Sequence, residues 1–148
     1  MGRLESPNQR PQDVSFFKIH EDAYDPQTGE FGSDRLIRNN NTVRLRIPSD
    51  IKPGDYVMRH ELVALHFGNK MNGAQFYISC LNVRVLGSET AEPQGVKFPG
   101  AYRATDPGIK YNIYYHVNRY VSSVVPWASV LLTFSAASAW SACLFRKI

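Results

Sequence analysis

The sequence predicts an all-β domain, a β-sandwich of the immunoglobulin- or fibronectin-like kind with an apolar C-terminal tail. Short apolar and β-branched runs alternate with Pro- and Gly-containing turns, and no convincing amphipathic helix appears before Tyr120. The chain of 148 residues allows one ordinary domain. Its 43% of hydrophobic and 20% of charged residues lie in the range of globular proteins.

The first part of the chain is predicted to be a polar lead followed by one short strand. Residues 1–13 are rich in Pro, Gln and Arg, which favours a disordered lead, and they contain no apolar segment like that of a secretory signal. Residues 14–19 are a strand candidate. Residues 21–35 are predicted to be a loop, because Asp25-Pro26 and Thr28-Gly29 are turn signals.

A second strand is predicted over residues 42–47. Val43, Leu45 and Ile47 alternate with two arginines, which is the period of a half-buried strand. Pro48 ends the run.

The strongest local prediction is a long hairpin. Residues 56–67 are the longest strand candidate, and they follow a Pro53-Gly54 turn in which Gly permits a positive φ. Asn72-Gly73 is a strong hairpin signal. Residues 75–86 are therefore predicted to be the return strand, and residues 14–120 as a whole the sandwich domain.

The tail differs in character from the rest of the chain. Residues 121–145 carry no charge, are followed by Arg146-Lys147, and are long enough to span a bilayer. Six serines dilute their apolar character. Val121-Ser122 is also what a common intron start encodes when it is translated. Residues 121–148 are therefore interpreted as intron read-through or as a membrane segment, of which the membrane span is the less favoured.

Charge and cysteine content exclude little. The net charge is +4, but the basic residues are scattered and no nucleic-acid-binding motif accompanies them, so no nucleic-acid partner is predicted. Cys80 and Cys143 could form at most one bridge.

One polar cluster is expected at the closed end of the hairpin. Period-two alternation places Gln75 and Tyr77 on one face of their strand, and the hairpin brings His66 near Gln75. An imidazole, an amide and a phenol that converge could donate hydrogen bonds to a reduced oxygen species and shape the outer shell of a metal. The alternative is an ordinary polar patch of a sandwich.

Several motifs occur together in the order and spacing of one known family. They are Phe17-Lys18-Ile19, Pro53-Gly54 with Tyr56, Arg59-His60-Glu61 through His66, Asn72-Gly73-Ala74-Gln75-Phe76-Tyr77, Cys80 with Asn82, and Asp106-Pro107-Gly108-Ile109 with Asn112-Ile113-Tyr114. Over about two-thirds of its length, from Val14 to Tyr120, the chain resembles the C-terminal half of the fungal cellulose-active lytic polysaccharide monooxygenases of auxiliary activity family nine.

That resemblance implies a copper site. In the family an N-terminal histidine and a second histidine hold the copper, and neither ligand has a counterpart here. Tyr77 matches the axial tyrosine at the metal, and Gln75 and His66 match the two side chains that hydrogen-bond the oxygen species. Cys80 matches a cysteine that is normally bridged to the missing first half. Tyr120 matches an aromatic residue of the substrate face.

The resemblance also implies an extracellular enzyme that oxidatively cleaves cellulose or a related β-glucan with the help of an electron donor. Without the copper-ligating histidines this chain is expected to be inactive and to bind copper no better than a surface histidine does. Because the resemblance covers only half of a sandwich, the sandwich is expected to be incomplete, with strand edges and apolar faces exposed, and the chain to be marginally stable or to aggregate when made alone. His60 and His66 would lie roughly 20 Å apart along one strand, too far to share an ion. The alternative function is a non-catalytic sandwich that binds glucan through Tyr111, Tyr114, Tyr115 and Tyr120.

Overall fold

A computed structural model describes residues 1–116 of the chain. Its elements are, in order, β1 (Gly2–Arg3), a 3-10 helix (Pro11–Asp13), β2 (Tyr24–Asp25), β3 (Glu30–Phe31), α1 (Gly32–Arg38), β4 (Gly54–Ala64), β5 (Gln75–Val85) and α2 (Ile113–His116). One antiparallel sheet has the strand order β1-β4-β5, and β2 and β3 form a separate two-stranded ribbon.

The long hairpin is confirmed. β4 and β5 pair over eleven residues each, from Gly54 opposite Val85 to Ala64 opposite Gln75. Asn72 has a φ of 56°, in the left-handed region that suits the closing turn. A Cβ on Gly73 would lie only 1.8 Å from the carbonyl oxygen of Phe67, so the turn has room for glycine alone.

The hairpin has two faces, because side chains alternate along each strand and partners across the strands share a face. The face that carries Val63, called the Val63 face, packs against Leu65, Tyr102 and Ile109 at one end and against Val14 and Phe16 at the other. The opposite face is called the Leu62 face. At its far end Tyr56 packs with a second set of apolar side chains, Met1, Phe17, Ile51, Val83 and Val85.

The start of the chain is ordered, so the predicted disordered lead is wrong. Gly2 pairs with Val57 in the sheet, Met1 is only 4% exposed, and the Met1 amino group donates to the carbonyl oxygen of Phe17 at 2.8 Å. The polar composition of residues 1–13 reflects the exposed turn after β1. Composition cannot show that the first residues pair with a strand more than fifty positions away.

The predicted strand at residues 42–47 is absent from the described structure. Val43 and Leu45 are half-buried and Arg44 and Arg46 are exposed, but Ile47 is 37% exposed, so the alternation reports burial correctly only over residues 43–46. A strand also needs a partner backbone, and within residues 1–116 this segment has none.

The strand predicted over residues 14–19 is reduced to a single bridge. Phe16 and Val96 exchange backbone hydrogen bonds at 2.8 and 2.9 Å, and no further residue of the segment joins a sheet in the described part of the chain. A bridge of one residue on each side links the segment to the chain that follows β5 without extending the sheet.

The predicted loop over residues 21–35 contains the β2–β3 ribbon and the start of α1. The turn signals are correct: the Asp25 carboxylate accepts from the Gln27 amide at 2.8 Å and from the Thr28 hydroxyl at 3.1 Å, and Gly29 has a φ of 73°. The rings of the flanking Tyr24 and Phe31 pack at a tilt of 54° with centroids 5.0 Å apart. The turn therefore closes a ribbon rather than a loop.

Helix α1 was missed because its first residues, Gly32 and Ser33, are weak helix formers. Its start is fixed by the Asp34 carboxylate, which accepts from the Phe31 amide at 2.9 Å. Arg35 then ties the helix to the preceding segment through the Asp22 carboxylate. These contacts stabilise a helix that the local sequence does not favour.

The β-rich fold class is confirmed, but residues 1–116 form only one three-stranded sheet and one ribbon, without a second sheet that faces the first. The sandwich prediction is therefore met in part. The predicted apolar tail lies outside the described residues. Within the described residues, no helix has the length and apolar character needed to cross a membrane.

Candidate functional site

Gln75 and Tyr77 meet at the closed end of the hairpin. Both lie on the Leu62 face at the start of β5, opposite Ala64 and Leu62 of β4. The Tyr77 hydroxyl donates to the side-chain carbonyl oxygen of Gln75 at 2.9 Å. Gln75 is exposed and Tyr77 is half-buried. The expected convergence of an amide and a phenol is therefore present.

This hydrogen bond decides which groups the pair presents to a ligand. With its carbonyl oxygen engaged by Tyr77, the Gln75 amide has two N–H donors left to offer on its other side. A phenol oxygen such as that of Tyr77 is chemically able to accept a hydrogen bond or contact a cation as well as donate. The pair thus places oriented N–H groups of Gln75 beside the phenol oxygen of Tyr77, which is an atom type that can bind a cation, at the exposed closed end of the hairpin.

His66 lies at the same end of the hairpin. It is half-buried and stands in the turn just after β4, two residues past the Ala64–Gln75 pair. The backbone of this turn is fixed by two bonds, from the Gly68 amide to the Leu65 carbonyl and from the Tyr111 amide to the Gly68 carbonyl, each 2.9 Å. His66 therefore stands in the turn next to this end of the hairpin, and of the three predicted side chains Gln75 and Tyr77 are in contact.

Residues 3–121 match the sequence model of Auxiliary Activity family 9, formerly GH61. The chain belongs to Auxiliary Activity family 9. It is 50% identical over 113 residues to lytic polysaccharide monooxygenase B of this family from Geotrichum candidum, and 51% identical over 110 residues to monooxygenase A from the same organism. These alignments cover 76% and 74% of this chain, but it spans only 31% and 38% of the two relatives.

Solved structures of the family resemble the fold. Cel61B from Hypocrea jecorina, a glycoside hydrolase family 61 member, superposes with a TM-score of 0.69 at 37% identity, over 74% of this chain and 49% of that chain. The structure named CvAA9A superposes with a TM-score of 0.72 at 34% identity, over 81% and 56% of the two chains. This family 9 chain therefore corresponds to about half of such a solved chain.

Two other residues singled out from the sequence are not part of the Gln75–Tyr77 pair. Cys80 lies on the Val63 face, opposite Arg59, and packs against the cluster of Val14, Phe16 and Val57. Cys143, the other cysteine of the chain, lies outside the described residues. Tyr120 also lies outside them.

The structure adds a buried ionic network that the sequence analysis missed. On the Val63 face, the Arg59 guanidinium donates to the Glu61 carboxylate at 2.5 Å, and their side chains are 12% and 6% exposed. The hydroxyl of Tyr102 donates to the other Glu61 oxygen at 2.6 Å. The signal was available, because two charged residues at positions i and i+2 of an apolar strand share one face and must find partners there.

Aromatic rings enclose this network. Arg59 lies 4.4 Å from the ring centroid of Phe98, and Tyr102 stacks on Phe76 with centroids 5.1 Å apart. Burial, followed by the Glu61 charge, raises the pKa of Tyr102, so its hydroxyl stays a donor. The network ties the loop that carries Tyr102 to β4, one strand away from Gln75 and Tyr77.

His60 lies on the Leu62 face beside a cleft of about 70 Å³ between β4 and residues 16–20. Its Nε2 atom is buried and, within residues 1–116, has no hydrogen-bond partner. Burial lowers the pKa of His60; the Glu61 charge opposes this shift and His20 across the cleft adds to it. The imidazole is therefore held neutral by its position.

We expect the free energy of unfolding to fall as the pH is lowered from about 7 to about 5. The unfolded chain takes up a proton at His60 near pH 6.5, whereas the folded chain resists it, so stability is lost below that pH. The Met1 amino group, whose pKa burial lowers to about 6, acts with the same sign. Urea unfolding of the unmodified chain and of His60→Gln at four pH values checks this. The free energy of unfolding should fall less steeply with falling pH in His60→Gln than in the unmodified chain. The same pH dependence in both proteins would contradict the prediction.

The described residues do not by themselves fit a copper ion. Within residues 1–116, no group of three or more His, Cys, Asp or Glu side chains is placed to hold a metal. Copper(II) prefers imidazole donors, and the site offers one phenol, one amide and the nearby His66. Family 9 implies copper, so other parts of a longer protein would have to supply its ligands.

Proposed function

We propose that this chain forms part of a secreted, copper-dependent lytic polysaccharide monooxygenase that oxidatively cleaves cellulose or a related β-glucan with an electron donor. The observation that carries the proposal is the Tyr77–Gln75 hydrogen bond at the exposed closed end of the hairpin. Membership of a family whose relatives are named lytic polysaccharide monooxygenases supplies the reaction class. The chain spans about a third of those relatives, so the activity belongs to a longer protein.

In that protein the chain would supply one wall of the metal site. Tyr77 would stand beside the copper as an oxygen donor atom. Gln75, oriented by Tyr77, would offer its N–H groups as hydrogen-bond donors beside that position, and His66 would add an imidazole at the same end of the hairpin. Copper, when bound, supplies the redox chemistry. Alone, the described residues are expected to bind it no better than a surface histidine does.

The hairpin would be one part of a β-sandwich whose remainder is not among residues 1–116. Large apolar side chains on β5 and just after it support this, since Leu81 is 51% and Leu86 is 83% exposed. Such surface is normally covered by another layer. Cys80 would be bridged to a cysteine of the missing part, and Tyr120 would contact the polysaccharide.

A graft tests the proposal. Residues 3–116 of this chain replace the aligned segment of the Geotrichum candidum monooxygenase A, to which the chain is 51% identical. The graft is expected to bind one copper ion and to release oxidised sugars from cellulose when a reductant is added. A graft that folds and binds copper but releases no oxidised product would contradict the proposed function.

The alternative function, glucan binding without catalysis, is favoured by one observation. Tyr114 and Tyr115 in α2 are 68% and 81% exposed, which is unusual for large aromatic side chains. Neighbouring positions of a helix point about 100° apart, so the two rings cannot both lie flat on one sugar surface. At most one of them can act as a stacking platform.

If the chain binds glucan in this way, Tyr115→Ala is expected to weaken retention on cellulose about five-fold, since one aromatic contact is worth about 1 kcal/mol. Tyr114→Ala, on the neighbouring ring, is the matched control and should change retention less. A pull-down with cellulose, without copper or reductant, checks this. If the parent and a variant that carries both Tyr114→Ala and Tyr115→Ala are retained equally on cellulose, catalysis is the better-supported function.

A further inference from the structure

One motif of the sequence has no part in the site described above. Asn40-Asn41-Thr42 fits the acceptor pattern for N-linked glycosylation, an Asn followed two positions later by Thr or Ser with no Pro between them. Across all 148 residues no other Asn has Ser or Thr two positions later. The chain therefore offers a single candidate acceptor.

The structure places this motif on an exposed turn. It directly follows α1, and Ile37 through Thr42 are all exposed. The turn is held by its backbone, with the Asn41 amide donating to the Leu36 carbonyl at 2.9 Å and the Thr42 amide to the Asn39 carbonyl at 3.0 Å. A bulky group attached here would extend into solvent and would displace no packed side chain.

The Asn40 side chain is available for modification. Its φ of 52° lies in the left-handed region that Asn tolerates well. The backbone carbonyl of Asn40 accepts a hydrogen bond from the Thr42 hydroxyl at 3.3 Å, whereas within residues 1–116 no hydrogen bond engages its side-chain amide. The modified form would therefore lose no contact that the folded chain depends on.

We propose that Asn40 is a site of N-linked glycosylation when the chain passes through a secretory pathway. The side-chain amide nitrogen of Asn40 forms a bond to the anomeric carbon of a lipid-linked oligosaccharide, the lipid pyrophosphate leaves, and the nitrogen gives up one proton. The inference rests on the secretion proposed above, and it requires neither copper nor cleavage of cellulose.

Asn41 provides a closely matched control. It is also exposed, it has a φ of 57°, and it stands next to Asn40 in the same turn. Asn41→Gln keeps the acceptor pattern, whereas Asn40→Gln destroys it. Both variants remove an Asn from a left-handed position, so any cost to folding is shared and only the glycan distinguishes them.

The experiment expresses the full chain behind a cleavable signal peptide in yeast and measures its mass before and after an enzyme that releases N-glycans. The parent, Asn41→Gln and Thr42→Ser are expected to carry one glycan, whose release leaves Asp at position 40. Asn40→Gln and Thr42→Ala are expected to carry none. Translation with microsomal membranes gives the same readout where export is poor.

An unmodified Asn40 in the parent after microsomal translocation would overturn the inference, and so would loss of the glycan from Asn41→Gln to the same extent as from Asn40→Gln. The result is independent of the proposed function. A glycosylated chain whose graft shows no activity would leave this site standing, and an active graft with a bare Asn40 would refute the site alone.

Discussion

Replacing Glu61 by Gln is expected to destabilise the fold by about 3–5 kcal/mol, the usual cost of removing one partner of a buried ion pair. Glu61 is 6% exposed, and its two oxygens accept from Arg59 and from the Tyr102 hydroxyl. The substitution leaves the Arg59 guanidinium buried, 12% exposed, without a counter-charge. Since domains are stable by only about 5–15 kcal/mol, much of the total stability would be lost.

The loss of stability should come from the unpaired charge that remains on Arg59 and not from the loss of its attraction to Glu61. Replacing Arg59 and Glu61 together by Met is therefore expected to cost less than Glu61→Gln alone, because no charge remains in the apolar surroundings. Asp55 on β4 and Arg84 on β5 provide the exposed control, joined by bonds of 2.6 and 3.0 Å. Asp55→Asn should change stability very little.

Urea unfolding of the graft, which gives each variant a complete fold, measures these differences. A Glu61→Gln variant that unfolds at the parental urea concentration would show that the network does not hold the fold together. A Met–Met variant that is less stable than Glu61→Gln would show that attraction across the pair outweighs its burial cost.

The parts that sequence reasoning predicted are those in which neighbours along the chain decide the structure. The β4–β5 hairpin follows from two runs of residues that favour strands on either side of Asn72-Gly73. The contact of Gln75 with Tyr77 follows from their spacing of two residues on one strand. Neither prediction needed information from a distant part of the chain.

The parts that it missed depend on distant partners. β1 pairs with residues more than fifty positions away, and Tyr102 reaches Glu61 from 41 positions away. α1 depends on Arg35, which bonds Asp22 across the ribbon. The strand prediction for residues 42–47 was wrong for the converse reason. Their pattern is typical of a strand, but the described residues supply no partner backbone for them. The local pattern thus predicts which side chains face the protein interior, whereas the pairing of strands depends on residues in distant parts of the chain.

In the graft, Gln75→Ala is expected to lower the rate of cellulose oxidation about 10- to 100-fold, the usual cost of removing a side chain that supports a metal site by hydrogen bonding beside it. The Tyr77 hydroxyl occupies the carbonyl oxygen of Gln75 and so directs its N–H groups outward. Alanine removes that donor without changing the sheet, since Gln75 is exposed at the end of β5. Copper occupancy should therefore stay at the parental value.

Tyr77→Phe separates the two roles assigned to the tyrosine. Without the hydroxyl, Gln75 loses its orienting partner, so the rate should fall as in Gln75→Ala. The copper(II) electron paramagnetic resonance spectrum should also change, because an oxygen atom beside the metal is lost, whereas Gln75→Ala should leave that spectrum nearly unaltered. Ser79→Ala, a hydroxyl deletion on the same face two residues further along β5, is the matched control and should behave as the parent.

The oxidation rate and the copper spectrum, measured together, distinguish a functional metal site from an ordinary polar patch on the surface. If Gln75→Ala and Tyr77→Phe both keep the parental rate and the parental copper spectrum, the hydrogen bond between them is ordinary surface structure. If only the rate falls in both, Tyr77 acts through Gln75 and does not contact the metal. A changed spectrum in Tyr77→Phe alone, with both rates lowered, is the result expected from a phenol beside copper that also orients an amide donor.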